Sequence, residues 1–442
     1  MTRAAIAGGA LVTALVLLVL VVGYSAMEPG GEPAGATPPA SIPSAAAEVH
    51  PGFIYGRITT VDDTTFEGRL RWGVGDQEAF WGDYFDGTKH ENPWAAHVPA
   101  EHRPFEIFGF PIGGGEQPDL GRPFMTPFGN IARVEAHFGD VQVTLKSGTM
   151  FELDRFSAGD IDDGVRVRDP SRGVVDLDTR QIRTIEFLPT APIVAAPERL
   201  HGTVRTLQGD FTGFIQWDRQ DCVGADELEG RIADGEHRVR YDTIRSIARR
   251  SKDSALVTLL DGREMVLSDT REVGRGHRGI SVDDRRYGRV AIAWDAFERV
   301  DFSPGGSGPA YGDFPPGQPL AGSVTTRDGR RFAGRLVYDF DESETTETFD
   351  APSQGVSYTI PFALITSIVL PGREGRGTQH ARVILHDGEE LQLDLSGDLA
   401  EGNTGMLIFV DGREHPEHVP WTNVAQIDFR TQATNRPAAI YR

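Results

Sequence analysis

The feature that most constrains the fold is a short motif that the chain repeats six times. In each copy a large residue is followed, at steps of three, by two apolar residues, as in Trp421, Val424 and Ile427. The copies begin at Phe128, Thr179, Tyr241, Trp294, Phe362 and Trp421. A helix can also produce a step of three, but these runs are short and rich in β-branched residues. The motif therefore predicts a strand, one 3₁₀ turn and a further strand.

Two hairpin patterns accompany this motif, and each occurs three times. The first pattern opens at Gly56, Gly202 and Gly322. It continues with a phenylalanine, a glycine, an aliphatic residue and an aromatic residue, each separated by one position. The second pattern begins at Val143, Val257 and Val383 and keeps one spacing in all copies. Apolar residues that alternate with polar ones around a short turn predict β-hairpins.

The repeats group into three pairs, which occupy residues 51–188, 200–302 and 320–429, before a C-terminal tail of residues 430–442. Proline-rich segments at 189–199 and 303–319 separate the pairs. We therefore predict an all-β protein of three tandem pairs, each made of two small SH3-like or Sm-like barrel half-units. A six-bladed β-propeller is the alternative, since four short strands also make a blade. Joints after every second unit favour the paired barrels.

The N-terminal segment predicts how the chain is anchored. Residues 4–22 are apolar except for Thr13, a length that suits a membrane span better than a cleaved signal peptide. Arg3 precedes this span and Glu28 follows it, so we expect residues 1–26 to be a signal anchor with the rest of the chain extracytoplasmic. The alternative is a cleaved signal peptide that gives a secreted or periplasmic protein. Residues 27–50, rich in Pro, Ala and Gly, form the expected linker.

Charge and cysteine content narrow the range of partners. The net charge of −21 argues against a nucleic-acid partner and against binding to anionic lipid, because both need a basic face. Contact with the membrane is therefore expected only through the N-terminal helix. Cys222 is the single cysteine, so no intramolecular disulfide can form.

The motifs that usually carry catalysis or bind cofactors do not occur in a suitable context. The string GRGHRG at 274–279 matches a dinucleotide fingerprint in its letters, but it precedes a predicted strand and no helix. The string HPEH at 415–418 offers no third metal ligand. The acidic run at 339–350 has the spacing of a calcium loop, but Glu344 replaces the required glycine. We predict no metal and no cofactor, and the sequence favours a protein that is not an enzyme.

The one region that the repeats do not explain is an apparent insertion at residues 73–127, which is rich in aromatic and acidic residues. Such side chains can stack on a sugar and bind its hydroxyl groups, or anchor a protein partner. The candidate ligand-binding residues are Glu78, Trp81, Asp83, Tyr84, Phe85, Asp86, His90 and Trp94. The competing interpretation is that the aromatic rings form a small buried core.

These observations together predict an exported, membrane-tethered β-repeat protein that acts as an interaction or scaffold module. Its partner would be a protein or a glycan of the cell envelope. The alternative is a glycan-binding or glycan-hydrolysing protein that uses the insertion, with Glu78 and either Asp83 or Asp86 as paired carboxylates.

Overall fold

The computed structural model describes residues 50–73, 79–90, 92–97, 106–107, 110–111, 122–137, 139–154, 164–192, 198–372 and 379–430. The regular structure of this part of the chain consists of strands and short 3₁₀ turns. The prediction of an all-β fold is confirmed. No helix within these residues is long and apolar enough to cross a membrane. The predicted N-terminal helix, residues 27–49 of the linker, Glu78 and residues 431–442 lie outside the described residues.

The strands form three large antiparallel sheets of 10, 12 and 8 strands and one sheet of 2 strands. The first twelve strands along the chain are β1 (Tyr55–Thr60), β2 (Thr65–Trp72), β3 (Tyr84–Lys89), β4 (Glu106–Ile107), β5 (Phe110–Pro111), β6 (Arg122–Pro127), β7 (Ile131–Ala136), β8 (Asp140–Leu145), β9 (Met150–Asp154), β10 (Val165–Asp169), β11 (Gly173–Leu177) and β12 (Ile182–Phe187). All of these belong to the first sheet except β4 and β5, which pair only with each other.

The remaining strands build the second and third sheets. The next ten are β13 (His201–Thr206), β14 (Gly209–Trp217), β15 (Glu227–Ile232), β16 (Gly235–Arg240), β17 (Ile244–Ser251), β18 (Ser254–Leu259), β19 (Glu264–Ser268), β20 (Ile280–Asp284), β21 (Gly288–Ile292) and β22 (Phe297–Phe302). The last ten are β23 (Ala321–Thr326), β24 (Arg331–Tyr338), β25 (Thr348–Ser353), β26 (Val356–Pro361), β27 (Ile365–Val369), β28 (His380–Leu385), β29 (Glu390–Asp394), β30 (Met406–Phe409), β31 (Glu417–Val419) and β32 (Val424–Phe429).

Each set of ten sheet strands consists of two successive runs of five that exchange their hairpins. In the first sheet the runs are β1, β2, β3, β6 and β7, then β8 to β12. Hairpin β1–β2 pairs with β12 and β10 of the second run, whereas hairpin β8–β9 pairs with β7 and β3 of the first run. The fifth strands of the two runs, β7 and β12, pair with each other. The pairs β17–β22 and β27–β32 repeat this contact in the other sheets.

The six motif copies lie between the fourth and fifth strands of their runs. Five are 3₁₀ turns, at 128–130, 179–181, 241–243, 362–364 and 421–423, so the predicted strand, turn and strand are confirmed there. The sixth, at Trp294, is a hydrogen-bonded turn directly before β22. The rings of Trp294 and Trp421 are buried and pack edge-on against Trp217 and Tyr338, which end equivalent strands. The two tryptophans therefore have equivalent roles in the core.

The glycines of the first hairpin pattern face each other across the two strands. The directly opposed pairs are Gly56 with Gly68, Gly202 with Gly213 and Gly322 with Gly334. A Cβ atom on Gly213 would lie 1.9 Å from the carbonyl oxygen of Asp283 on the neighbouring strand. The corresponding distances at Gly68 and Gly334 are both 2.1 Å. A side chain at these positions would therefore push the third strand away, which explains why the pattern repeats a glycine.

The second and third sheets share one apolar core, whereas the first sheet has its own. Strand β21 of the second set pairs with β26 of the third set, with Val290 opposite Tyr358. Strands β25 and β26 therefore belong to the second sheet, which has 12 strands, and leave 8 strands in the third. The ring of Tyr358 is buried and contacts Phe211 and Tyr287 edge-on. Backbone hydrogen bonds and apolar packing therefore join these two parts of the chain.

Part of the predicted insertion at 73–127 belongs to the repeat. Strands β3 and β6 pair with each other, as β15 does with β16 and β25 with β26. Two-residue turns join β15 to β16 and β25 to β26, whereas residues 90–121 separate β3 from β6. The many aromatic residues in β3 and β6 obscure, in the sequence, the alternation of buried and exposed positions that is typical of a strand. The alternative of a six-bladed propeller would give six separate sheets, and the large sheets number three.

Candidate ligand-binding cleft

A carboxylate before the third strand of each first run holds the preceding loop. Asp83 accepts hydrogen bonds through Oδ2 from the backbone N–H groups three and four positions before it, both at 2.9 Å. Asp226 and Glu347 accept the same pair of bonds before β15 and β25. In each of the three sets, one oxygen of this carboxylate therefore holds the backbone of the preceding loop. This role accounts for the residue type without any ligand.

The second oxygen of Asp83 takes part in a cluster that its counterparts do not form. Its Oδ1 lies 3.2 Å from Nη2 of Arg289 and 3.8 Å from Nη2 of Arg199. The Nε of Arg289 also donates to Oδ1 of Asp283 at 2.8 Å. Burial lowers the pKa of Arg289, but the attraction of Asp283 and Asp83 outweighs it, so the pKa is raised. Two aspartates and two arginines thus meet where the first sheet contacts the second.

Arg199 lies at the centre of this contact and lacks a full set of acceptors. Its guanidinium group stacks between the rings of Phe80 and Phe214, with centroid distances of 3.8 and 4.2 Å. The side chain is 5% exposed. Its buried Nε and Nη1 have no hydrogen-bond partner among the described residues. Burial lowers the pKa of Arg199, opposed by Asp83 and Asp283.

These unpaired nitrogens are the strongest sign of a missing partner. Together Nε and Nη1 carry three N–H groups, and each buried donor without an acceptor costs about 1–3 kcal/mol. Buried polar groups in native proteins are almost always satisfied by protein, water or ligand. Arg199 also lines a cavity of about 870 Å³. An acceptor from outside the chain can therefore complete the site.

The cavity is a cleft of about 870 Å³ formed by three parts of the chain. Gly82, Tyr84 and Pro127 line it from the first sheet, and strands β13, β14, β20 and β21 line it from the second. The segment 305–314, which leads to the third sheet, closes one side. Its volume lies in the usual range for small-molecule sites.

The wall formed by the second sheet is polar and internally paired. Arg286 donates to both carboxylate oxygens of Asp284, at 3.0 and 2.8 Å. Asp284 also accepts from the backbone N–H of Thr212 at 2.8 Å. Nδ1 of His201 lies 3.1 Å from the hydroxyl of Ser303, and burial lowers the pKa of this imidazole. At neutral pH His201 is therefore uncharged and can donate or accept.

Three of the predicted aromatic residues are buried. Trp81 and Phe85 have no exposed surface, and Tyr84 is 8% exposed. Trp81 donates through Nε1 to the hydroxyl of Thr190 at 3.0 Å and packs against Phe187. These rings therefore form no exposed patch. Their burial agrees with the competing interpretation of a small core, and only Tyr84 reaches the cleft.

The other predicted residues lie apart from one another. Trp94 is half-buried and packs against Phe409 of the third sheet, with ring centroids 5.8 Å apart. His90 is exposed, and its Nδ1 lies 2.9 Å from Asp140. Asp86 is exposed, and Glu78 lies outside the described residues. Of the seven candidates among the described residues, Tyr84 lines the cleft and Asp83 lies beside it, 3.8 Å from Nη2 of Arg199.

Two cations of the chain pair with three carboxylates of the acidic run at 339–350. Nζ of Lys89 lies 2.7 Å from Asp341 and 2.8 Å from Glu347, and the exposed fractions of these side chains are 4–6%. Arg122 lies 3.3 Å from Asp339. Both cations come from strands β3 and β6 of the first sheet. Among the described residues, no group of His, Cys, Asp and Glu is arranged to hold a metal ion.

The GRGHRG string lies before β20, as the sequence predicted, and serves the core. The imidazole of His277 stacks on Trp294 with a centroid distance of 5.0 Å and contacts Trp217 edge-on. Its Nδ1 accepts a hydrogen bond from the N–H of Gly279 at 2.9 Å. Burial lowers the pKa of His277 to about 4. The neutral ring therefore packs in the core between Trp217 and Trp294.

Sequence reasoning missed the residues that define the cleft. Arg199 lies in the proline-rich joint at 189–199, and Phe214 and Asp283 lie on ordinary repeat strands. A signal was available in the aspartate and arginine string DDRR at 283–286, which ends β20 and begins the turn after it. The chain matches no protein-family model, no curated protein and no solved structure.

Proposed function

We propose that this chain is an exported, membrane-tethered interaction protein without catalytic activity. On this proposal six SH3-like or Sm-like units form a rigid support, and a ligand of the cell envelope binds in the cleft between the first and second sheets. The observation that carries the proposal is Arg199, a buried cation with unpaired donors that lines a cleft of about 870 Å³. Hydrogen-bond donors that are held in place but lack acceptors favour the binding of a ligand that supplies those acceptors.

The strand order supports the proposed units. Strand β1 pairs with β2, β2 with β10, and β10 with β11. A 3₁₀ turn joins β11 to β12, and β12 pairs with β1. Small SH3-like and Sm-like barrels have this order. Strands β8, β9, β3, β6 and β7 follow the same order. Tandem units that exchange hairpins account for both the sequence repeat and the sheet pairing.

Binding in the cleft can be tested with a blocking variant and a matched control. Thr212 is exposed on β14 and lines the cleft, and Ala333 is exposed at the same position of β24 in the third sheet. Thr212→Trp fills the cleft, whereas Ala333→Trp adds the same ring elsewhere. Isothermal titration of the full-length chain would use neutral trisaccharides, inorganic phosphate, trigalacturonate and trilysine as probes.

The proposal expects at least one probe class to bind, with binding lost in Thr212→Trp and kept in Ala333→Trp. It is overturned if none of the probes binds, or if binding survives in Thr212→Trp. Export and tethering are tested separately with alkaline phosphatase fused to the C-terminus. The reporter should be active and should sediment with the membrane fraction. An inactive reporter contradicts export, and an active reporter in the soluble fraction contradicts the uncleaved anchor.

A further inference from the structure

We infer that the ligand of the cleft is a neutral, hydroxyl-rich molecule of the size of a di- or trisaccharide. This inference rests on the proposed function and adds the chemical class of the ligand. Three properties of the cleft carry it: the balance of charge, the mixture of donors and acceptors around Arg199, and the aromatic rings beside them.

The charge balance of the cleft disfavours an anionic ligand. Four aspartates line the cleft (Asp210, Asp283, Asp284, Asp313) against three arginines (Arg199, Arg285, Arg286). Arg286 is engaged by both oxygens of Asp284, and Arg289, just behind the wall, is engaged by Asp283 and Asp83. The whole chain carries a net charge of −21. A phosphate or carboxylate would therefore meet no excess of positive charge.

The groups around Arg199 fit a hydroxyl group, which can donate and accept at once. Nη2 of Arg199 lies 3.7 Å from Oδ2 of Asp283, too far for a direct hydrogen bond. A hydroxyl oxygen near these two groups can accept from the guanidinium and donate to the carboxylate. Nε and Nη1 of Arg199 are unpaired but buried, so they can donate to a second oxygen once the ligand displaces the groups that cover them. Neighbouring hydroxyl groups of a sugar ring present oxygens in such pairs.

Phe214 is half-buried and gives the cleft an apolar surface, to which the mostly buried Tyr84 and Phe314 add little area. Tyr84, Phe214 and Phe314 all line the cavity. The guanidinium groups of Arg289 and Arg199 hold two of these rings in place, at 4.6 Å from the centroid of Tyr84 and 4.2 Å from that of Phe214. The C–H faces of a sugar pack on such rings while the ring hydroxyls reach polar groups. A simple polyol would leave this surface uncovered.

The test compares neutral and charged probes of similar size on the full-length chain. Chitotriose, maltotriose and cellotriose are the neutral probes, and trigalacturonate, inorganic phosphate and trilysine are the charged ones. The protein is kept in a detergent without a sugar head group, and binding is measured by isothermal titration. We expect saturable binding of at least one neutral trisaccharide and weaker binding of every charged probe.

Arg199→Met tests the residue that the inference places against the ligand. It should weaken the binding of the trisaccharide about tenfold or more, the usual effect of losing a hydrogen bond to a charged group. Arg238→Met, an exposed arginine on β16, should leave affinity unchanged. If Arg199→Met does not fold, the comparison of Thr212→Trp with Ala333→Trp decides the same question.

The outcomes separate this inference from the proposed function. Tighter binding of phosphate, trigalacturonate or trilysine, lost in Thr212→Trp, overturns the neutral ligand and leaves the cleft as the binding site. Binding of a trisaccharide that survives both Thr212→Trp and a folded Arg199→Met overturns the placement in the cleft. If no probe binds, the inference and the proposed function both fail.

Discussion

The junction between the second and third sets of strands differs from the contacts that hold the first sheet. Strand β21 pairs directly with β26, and one apolar core extends through both sets. The first sheet instead meets the others through a small apolar cluster and through buried charges, with Lys89 between two carboxylates and Arg199 beside two more. Backbone pairing leaves no polar group open, whereas the charged contacts leave donors unpaired and a cleft between the sheets. The candidate site thus lies at the contact between the first and second sheets, which are not joined by strand pairing.

The comparison also shows how one structural carboxylate takes part in different contacts. Asp83 keeps the loop-holding role of Asp226 and Glu347, and its spare oxygen faces arginines. Its counterpart Glu347 uses its spare oxygen for Lys89. The same structural carboxylate therefore holds two different contacts of the first sheet. The carboxylate that holds the loop therefore also supplies a charge for a contact between sheets.

The largest effect is expected from the apolar junction. Tyr358→Ala should lower the free energy of unfolding by about 3–5 kcal/mol, because it removes a buried ring from between the second and third sheets. The loss should be the same at low and high salt, since no charge is involved. Urea denaturation at two salt concentrations measures both. A cost that falls by half in high salt would mean that this junction also depends on charge.

The next effect concerns the charged contact with the third sheet. Lys89→Met should destabilise the protein by about 3 kcal/mol, because it leaves Asp341 and Glu347 buried without their cation. The matched control is Lys252→Met, which removes an exposed lysine. Adding Asp341→Asn and Glu347→Gln to Lys89→Met should recover most of the loss. Without that recovery, the cost would come from packing and not from charge.

A smaller and pH-dependent effect is expected at Glu342. Burial raises the pKa of this carboxyl group well above its ordinary value, and nearby Asp341 and Asp398 raise it further. Its contribution to stability is complete below the ordinary carboxyl pKa of about 4.3 and is lost as the pH rises through the higher folded value. Glu342→Gln should therefore stabilise the protein at pH 7.5, and the difference should vanish near pH 4.

Denaturation curves of Glu342→Gln at pH 4, 6 and 7.5 measure this dependence. Glu390→Gln, at an exposed position of β29, is the control. A stabilisation by Glu342→Gln that stayed constant across this range would show that the carboxyl group is not perturbed.

The smallest effect is a change in the rate of thiol labelling at the contact between the first and second sheets. Cys222 is buried there beside Phe53 and Phe80, and burial raises the pKa of its thiol. Labelling by a thiol reagent should therefore be slow in the folded protein. Phe80→Ala should accelerate it by opening the contact, whereas Tyr358→Ala should not when the folded fraction is held equal. Equal acceleration by both variants would remove the distinction between the two junctions.

The sequence predicts the repeat turns well but says little about which strands pair. The step of three from Phe128 or Trp421 marks a turn, because each apolar residue must face a core. The same alternation occurs in both hairpins of a pair, so a hairpin can bury its apolar face in either run. The exchange of hairpins β1–β2 and β8–β9 is decided by tertiary contacts that one sequence does not display.

The sequence predicted site residues only in the segment whose composition is unusual. Tyr84 and Asp83 stand in a segment that is conspicuously aromatic and acidic, although most of that segment is core. Arg199, Phe214 and Asp283 are spread over 85 residues of ordinary repeat sequence. They meet because β14 and β20 are neighbours in the sheet and Arg199 immediately precedes β13. Such convergence follows from the fold and not from local pattern.

The most direct test of the central claim is a crystal structure of the full-length chain grown with chitotriose. We predict electron density for one sugar ring in the cleft against Phe214, with a ring or hydroxyl oxygen about 2.7–3.2 Å from Nε or Nη1 of Arg199. Density for the sugar at another surface, or a cleft in which Arg199 is satisfied by the chain's own carbonyl groups and no sugar is bound, would contradict the account.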